Sequence, residues 1–191
     1  MVTRDGARAF NEGTEPGQER RLPIPTDPQR LSDPIRETDA AARGIARDLM
    51  RGARKAALGV IDPGTGAPFV SRVAFGLGPG VEALTLVSDL SIHAGALRAD
   101  PRASLLIGEP GSKGDPLTHP RLTLRVTARF VAPDAPDGTG IRSAWLRDHP
   151  KAALYVDFAD FHFVRFEIAD GHLNAGFGKA YALATNDLMV D

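Results

Sequence analysis

The sequence contains no cysteine among its 191 residues. That excludes disulfides, thiolate metal sites, iron–sulfur clusters and thiol nucleophiles, and it fits a reducing compartment. It also lacks charge of one sign: 23 Lys and Arg stand against 24 Asp and Glu, for a net charge of -1. No broad basic surface of the kind that holds nucleic acid is available. Long apolar runs are missing too. No leader-like apolar core precedes Arg30, and no later stretch approaches the ~20 residues that cross a bilayer. A cytoplasmic protein that engages neither membrane nor nucleic acid is expected. There is no Walker loop, no GxGxxG after a strand, no GxSxG elbow and no HExxH. The five histidines, His93, His119, His149, His162 and His172, are scattered without metal-ligand spacing, so no metal site is expected.

What is present is a hydrophobic content of 42%, enough in a chain of this length for one sizeable core. Residues 1–31 are charged and rich in Pro, Gly and Glu, with Pro23, Pro25 and Pro28 close together. Such a stretch has little apolar surface to offset the entropy of ordering and reads as a flexible tail. Residues 32–191 read as the domain. A helix is expected from about Pro34 to Arg54, capped by Asp33, with Ala42, Ile45, Leu49 and Ala53 at helical spacing. The basic row Arg43, Arg47, Arg51 and Lys55 reads as its solvated face.

From Ala56 the period changes. AALGVID, the turn PGTGAP and FVSRVAFGL form a hairpin, and a turn at Gly78–Gly80 leads into EALTLVS. A short helix spans Asp89–Ala99, RASLLIGE follows as a buried strand, and GEPGSKGDPLTHP is a loop. RLTLRVTARFVAP alternates, with Leu122, Leu124, Val126, Ala128 and Phe130 on one side and Thr123, Arg125, Thr127 and Arg129 on the other. Two short helices broken at Pro150 come next, Trp145 packing in the core or across a dimer. FHFVRFEI, a turn at Ala169–Gly171 and HLNAGFG make a last hairpin. The fold expected is mainly β with flanking helices (α+β): some seven antiparallel strands closed into a barrel, which removes exposed edges.

With catalytic side-chain signatures missing, anion recognition is the chemistry left. Ser71 and Arg72 lie on a strand, Ser88 ends the next, and Ser91 with His93 opens the short helix, where free backbone N–H groups favour a phosphate. The alternative is that Ser88 and Ser91 only cap the helix while Arg72 makes a surface ion pair. Spacing leaves both readings open.

FVSRVAFGL, LVSDLSIHAGALRADPRASLLI, GDPLTHPRLTLRVTARFV, HPKAALYVDFADFHFVRFEI and DGHLNAGFGKA, in that order, resemble the FMN-binding split β-barrels related to pyridoxamine 5'-phosphate oxidase. Within that superfamily the resemblance is to the haem-utilisation (HugZ-type) branch, over about Ala56–Leu183. It implies a split antiparallel barrel, a homodimer with FMN at the subunit interface, and a flavin-dependent oxidoreductase acting on a small molecule. It implies that the flavin phosphate is held by Ser71, Arg72, Ser88, Ser91 and His93, with His93 where the oxidases carry Lys. Phe177 and Lys179 of AGFGKA would flank the cofactor, or Gly176 and Gly178 would shape a bulge at a barrel corner. The C-terminal Arg motif of the true oxidases is not found in KAYALATNDLMVD, which argues against pyridoxamine phosphate as substrate. The alternative cofactor is haem. In the related haem proteins the ligating histidine lies in a C-terminal extension, so His172 is the residue that could stand in as axial ligand, the alternative being an ordinary strand position; Arg125 is the second residue whose loss would weaken haem binding on this reading. A third reading is a cofactor-free, non-catalytic dimer.

Overall fold

The structure, a computed structural model, describes residues 35–176 and 178–189. The expected tail and the helix start at Ser32–Pro34 lie outside the described residues. Ile35–Arg36 (β1) is extended and pairs in parallel with Ala180–Tyr181. The first helix, α1 (Ala40–Gly52), therefore starts later than the Asp33–Pro34 signal implies. Its cap is Asp39, whose Oδ1 accepts from Ala42 N at 2.7 Å, directly ahead of the buried run Ala42, Ala46 and Met50.

The strands that follow are β2 (Lys55–Ile61), β3 (Pro68–Ala74), β4 (Gly76–Leu77), β5 (Ala83–Ser88), β6 (Arg102–Ile107), β7 (Arg121–Phe130), β8 (Phe161–Asn174) and β9 (Ala180–Ala184). Between them lie α2 (Ile92–Ala99), α3 (Gly138–Asp148) and, at the end, α4 (Thr185–Leu188). The nine strands share one sheet, mixed through the parallel β1–β9 pair. β3 runs through Phe75 into β4, β4 pairs β5, β5 pairs β8, and the ladder returns through β7, β6 and β2 to β3. The circuit closes, so the fold is an α+β barrel. Its interior is filled by Leu58, Val60, Val73, Leu105, Leu124, Val126, Val164 and Phe166. A second core lies outside β5, where Ile141 and Trp145 of α3 pack with Leu84, Ala152 and Val156. Trp145 is 2% exposed, and a Cβ on Gly76 would sit 3.2 Å from its ring.

Two expectations are corrected. Ala169–Gly171 is not a hairpin turn: β8 runs straight through it, and Ala169 is an extra residue between Ile168, opposite Val126, and Asp170, opposite Arg125. This is a β-bulge. The hairpin turn comes later, where Ala175 N donates to Lys179 O at 2.8 Å, and the returning strand β9 is built from AYALA. Nor is RASLLIGE buried throughout, because Arg102, Ser104 and Leu106 alternate outward with exposed side chains.

Candidate functional site

Two surfaces collect the side chains singled out by sequence. The first lies where β3 meets the start of α2. Ser91 is the N-cap: its hydroxyl donates to Ser88 O at 2.7 Å and accepts from Ala94 N at 3.4 Å. Ser71 Oγ lies 3.1 Å from His93 Nδ1, so strand and helix are joined through a hydroxyl–imidazole contact. His93 is half-buried, and that burial pushes its imidazole below the ordinary value, favouring the neutral form. A neutral imidazole and the Ser71 hydroxyl offer an anion directed hydrogen bonds rather than a fixed charge, the Ser91 proton being already given to Ser88 O. Ser88 is committed elsewhere: its hydroxyl donates to Asp160 Oδ2 at 2.7 Å and accepts from Leu90 N at 3.2 Å. Asp89 beside it is bonded by Arg98 at 2.7 Å and by His162 at 2.8 Å. Those partners, Arg98 first, hold its carboxyl below the ordinary range.

Arg72 does not join this cluster. Neighbouring strand residues leave opposite faces. Ser71 points to the inner side with Val73, while Arg72 leaves on the exposed outer side. It makes no hydrogen bond or ion pair with the described residues.

The second surface is that outer face. Ladder partners run across it in rows: Val70, Gly59, Ser104, Arg125, Asp170 in one, and Arg72, Ala57, Leu106, Thr123, His172, Ala182 in the next. The bulge at Ala169 decides the membership of β8. Up to Phe166 its even-numbered residues face the core; past the extra residue Asp170 and His172 face out, while Gly171 and Leu173 are buried. Without it, His172 would be packed inside the barrel. A groove of about 680 Å³ crosses this face, lined by Gly59, Ile61, Val70, Arg102, Ser104 and Arg125 among others. Arg125 and Asp170 form a two-pronged pair, with Nε to Oδ1 at 2.7 Å and Nη2 to Oδ2. Arg125 thereby holds the Asp170 carboxyl below its ordinary value. Arg102 grips Asp100 in the same way, bringing that carboxyl down to about 2. Each arginine uses Nε and Nη2 in its pair and keeps Nη1 outside it. His172 is 51% exposed, its Nε2 3.9 Å from Asp170 Oδ1.

Lys179 is exposed in the β8–β9 turn, and Phe177 lies outside the described residues. Sequence reasoning passed over Arg102, Ser104 and Gly59. Their signal was the alternation in RASLLI and in AALGVI, each of which places every second residue on one face. Among the described residues no group of His, Asp and Glu is gathered closely enough to hold a bare metal ion, and no helix is long and apolar enough to cross a membrane.

A family model described as CREG, beta-barrel, matches residues 36–188. Among curated proteins, the chain is 36% identical over 102 residues to the chloroplastic non-canonical heme oxygenase HOZ of Arabidopsis thaliana, covering 53% of this chain and 30% of that protein. Among solved structures it is similar to a heme binding protein from Mycobacterium smegmatis, with 27% identity, a TM-score of 0.70, and coverage of 81% of this chain and 61% of that one. A Clostridium acetobutylicum protein related to general stress protein 26, of the pyridoxinephosphate oxidase family, shares the fold at 13% identity, with a TM-score of 0.59 over 79% of this chain and 99% of that one. The chain thus spans only part of the length of the first two.

Proposed function

The chain belongs to the CREG β-barrel family, and from that premise we propose that it binds haem against the outer face of its barrel. The observation that carries this reading is the bulge at Ala169, which turns His172 outward onto the face that also bears Arg72, Arg125 and the 680 Å³ groove. The row of His172 carries the donor types the group needs: an exposed imidazole for iron, the Arg125 guanidinium in the neighbouring row for a propionate, and the exposed side chain of Leu106 for the macrocycle. When bound, haem would supply the redox chemistry, while the protein orients it and limits access of water. The haem-related names of the Arabidopsis and mycobacterial relatives support the same choice. The test is titration of the purified protein with haemin. A Soret band is expected, displaced in position and weakened in His172→Ala; a band identical in His172→Ala removes that residue as ligand, and no band in the wild type removes the reading.

A second reading, an FMN-binding oxidoreductase of a small-molecule substrate, is favoured by the contact between Ser71 and His93 at 3.1 Å beside the Ser91 cap. The flavin phosphate would sit there, anchored by Ser71, Ser91 and His93, and Arg72 would reach it only around the edge of β3. On the haem reading two copies pair through the outer face with the cofactor between them. Val70 at 66%, Leu106 at 43% and Ile61 at 41% exposure give that face the apolar character a partner would cover.

A further inference from the structure

The sheet splits along one edge of β8. Phe166 is the last residue paired with β5 and Asp170 the first paired with β9, so Glu167, Ile168 and Ala169 have no strand partner on that side. A cavity of about 230 Å³ lies at this gap. Its apolar walls are Met50 of α1, Val81 from the turn ahead of β5, Phe166, Ile168 and Leu188 of α4. Thr185 covers the open edge, its hydroxyl donating to Ala169 O at 2.9 Å. The volume suits one substituted ring, since an apolar cavity of about 150 Å³ holds benzene.

Two observations set this gap apart from loose packing. Val81 has a φ of 64°. A β-branched residue in the left-handed region is strained, and only its surroundings keep it there. Gly78 N donates to Glu82 O at 2.9 Å, Val81 N to Gly78 O at 3.0 Å and Gly80 N to Glu82 Oε2 at 2.9 Å, so the turn holds a valine against the cavity where a glycine would sit unstrained. The second observation is Arg165, which lines the same cavity. Its Nη2 is bound to Asp137, while its Nε is buried without an acceptor. Glu82 Oε1 stands 3.8 Å from that Nε, near enough for charge to attract and too far for a hydrogen bond. A buried donor left unpaired costs free energy until an acceptor reaches it.

Charge narrows what can enter. Arg165 is matched by Asp137 and Glu82, and Glu167 by Arg129 at 3.1 Å. A carboxylate would meet Glu82, and an amine would find both glutamates already matched. An uncharged molecule about one ring in size, with a single acceptor oxygen, fits walls and donor together. We propose that the split between β5 and β9 is a binding site for a small uncharged aryl carbonyl compound, its ring against Val81 and Phe166 and its oxygen accepting from Arg165 Nε. The site is separate from both cofactor sites above and depends on neither. Because Nε is shielded from solvent, the oxygen reaches it only as the turn gives way, a movement that the strain at Val81 favours.

The experiment uses the full chain and three probes: acetophenone, isopropylbenzene of nearly the same shape without the oxygen, and benzoate. Binding is followed by the arginine Nε–H signals in NMR and by melting. Acetophenone should move the Arg165 signal, identified by its loss in Arg165→Lys, and should raise the melting temperature as its concentration rises. Isopropylbenzene should bind about tenfold more weakly, and benzoate should not bind. Ile168→Trp, which fills the cavity from β8, should abolish acetophenone binding. Equal affinity for acetophenone and isopropylbenzene overturns the proposal, because Arg165 then takes no part. So does an Arg165 signal that saturating acetophenone leaves in place, or undiminished binding in Ile168→Trp. Should Ile168→Trp not fold, the two isosteric probes on the wild type decide alone.

Discussion

His93 shows most directly how one side chain can separate the two cofactor readings. Its folded-state pKa lies below 6.5 because burial disfavours the imidazolium. As pH falls, the unfolded chain takes up the proton first. The contribution of His93 to stability is therefore whole above about pH 6.5 and declines as pH drops from there toward the folded value, below which it levels off. A phosphate seated beside Ser71 and Ser91 would reverse the preference by stabilising the cation. Titration of the histidine ring protons by NMR, with His93→Gln to assign the signal, should give a pKa below 6.5 for the free protein and a higher one with FMN. A value unmoved by saturating FMN would dispose of His93 as a phosphate anchor. The grouping of Ser71 with Arg72 shows what sequence left unread at this scale. Both residue types suit an anion, yet consecutive residues of one strand cannot share a face, so only Ser71 reaches His93.

At the scale of elements, most strands were legible because their alternation is strong. Leu122, Leu124, Val126 and Ala128 are buried as their spacing implies. The errors concern punctuation. Ala169-Asp170-Gly171 carries turn residues, but Gly171 is held in place by Leu122, Leu124 and Leu188, contacts that come from distant parts of the chain and leave no local trace. The real turn follows, and Gly176 is its constrained member: φ is 112°, and an added Cβ would lie 3.1 Å from Thr118 O. Gly178, at φ 67°, faces open space. Gly176→Ala should thus destabilise by about 1–3 kcal/mol and Gly178→Ala by about 1 kcal/mol, read as shifts in the urea midpoint at constant slope. Equal, negligible shifts in both would mean that the reversal of direction is not made here. The same bulge that misled the reading of β8 is what delivers His172 to the surface, so the least legible element is the one on which the proposed haem site depends.

At the scale of the molecule, closure was foreseeable in kind and not in detail. Antiparallel strands in this number favour a barrel, but the pairing of β5 with β8 joins residues such as Ser88 and Phe161 that no turn connects. A closed barrel has no need of apolar side chains on its outside, yet Val70 is 66% exposed on the face that carries the groove. Pairing of two chains through that face would cover it and put a second wall over any ligand lying on the face. A charge at the position tests the pairing with little risk to the fold, because Val70 makes no part of the buried core. Val70→Glu should run at the 20.3 kDa of a single chain by light scattering, where the wild type should run at twice that mass if the pairing holds, and the variant should melt close to the wild type. Its affinity for haemin should fall as well, since half of the enclosure is lost. If Val70→Glu keeps the wild-type mass, the chains meet through another surface, and the exposed valine must then be explained by the ligand alone.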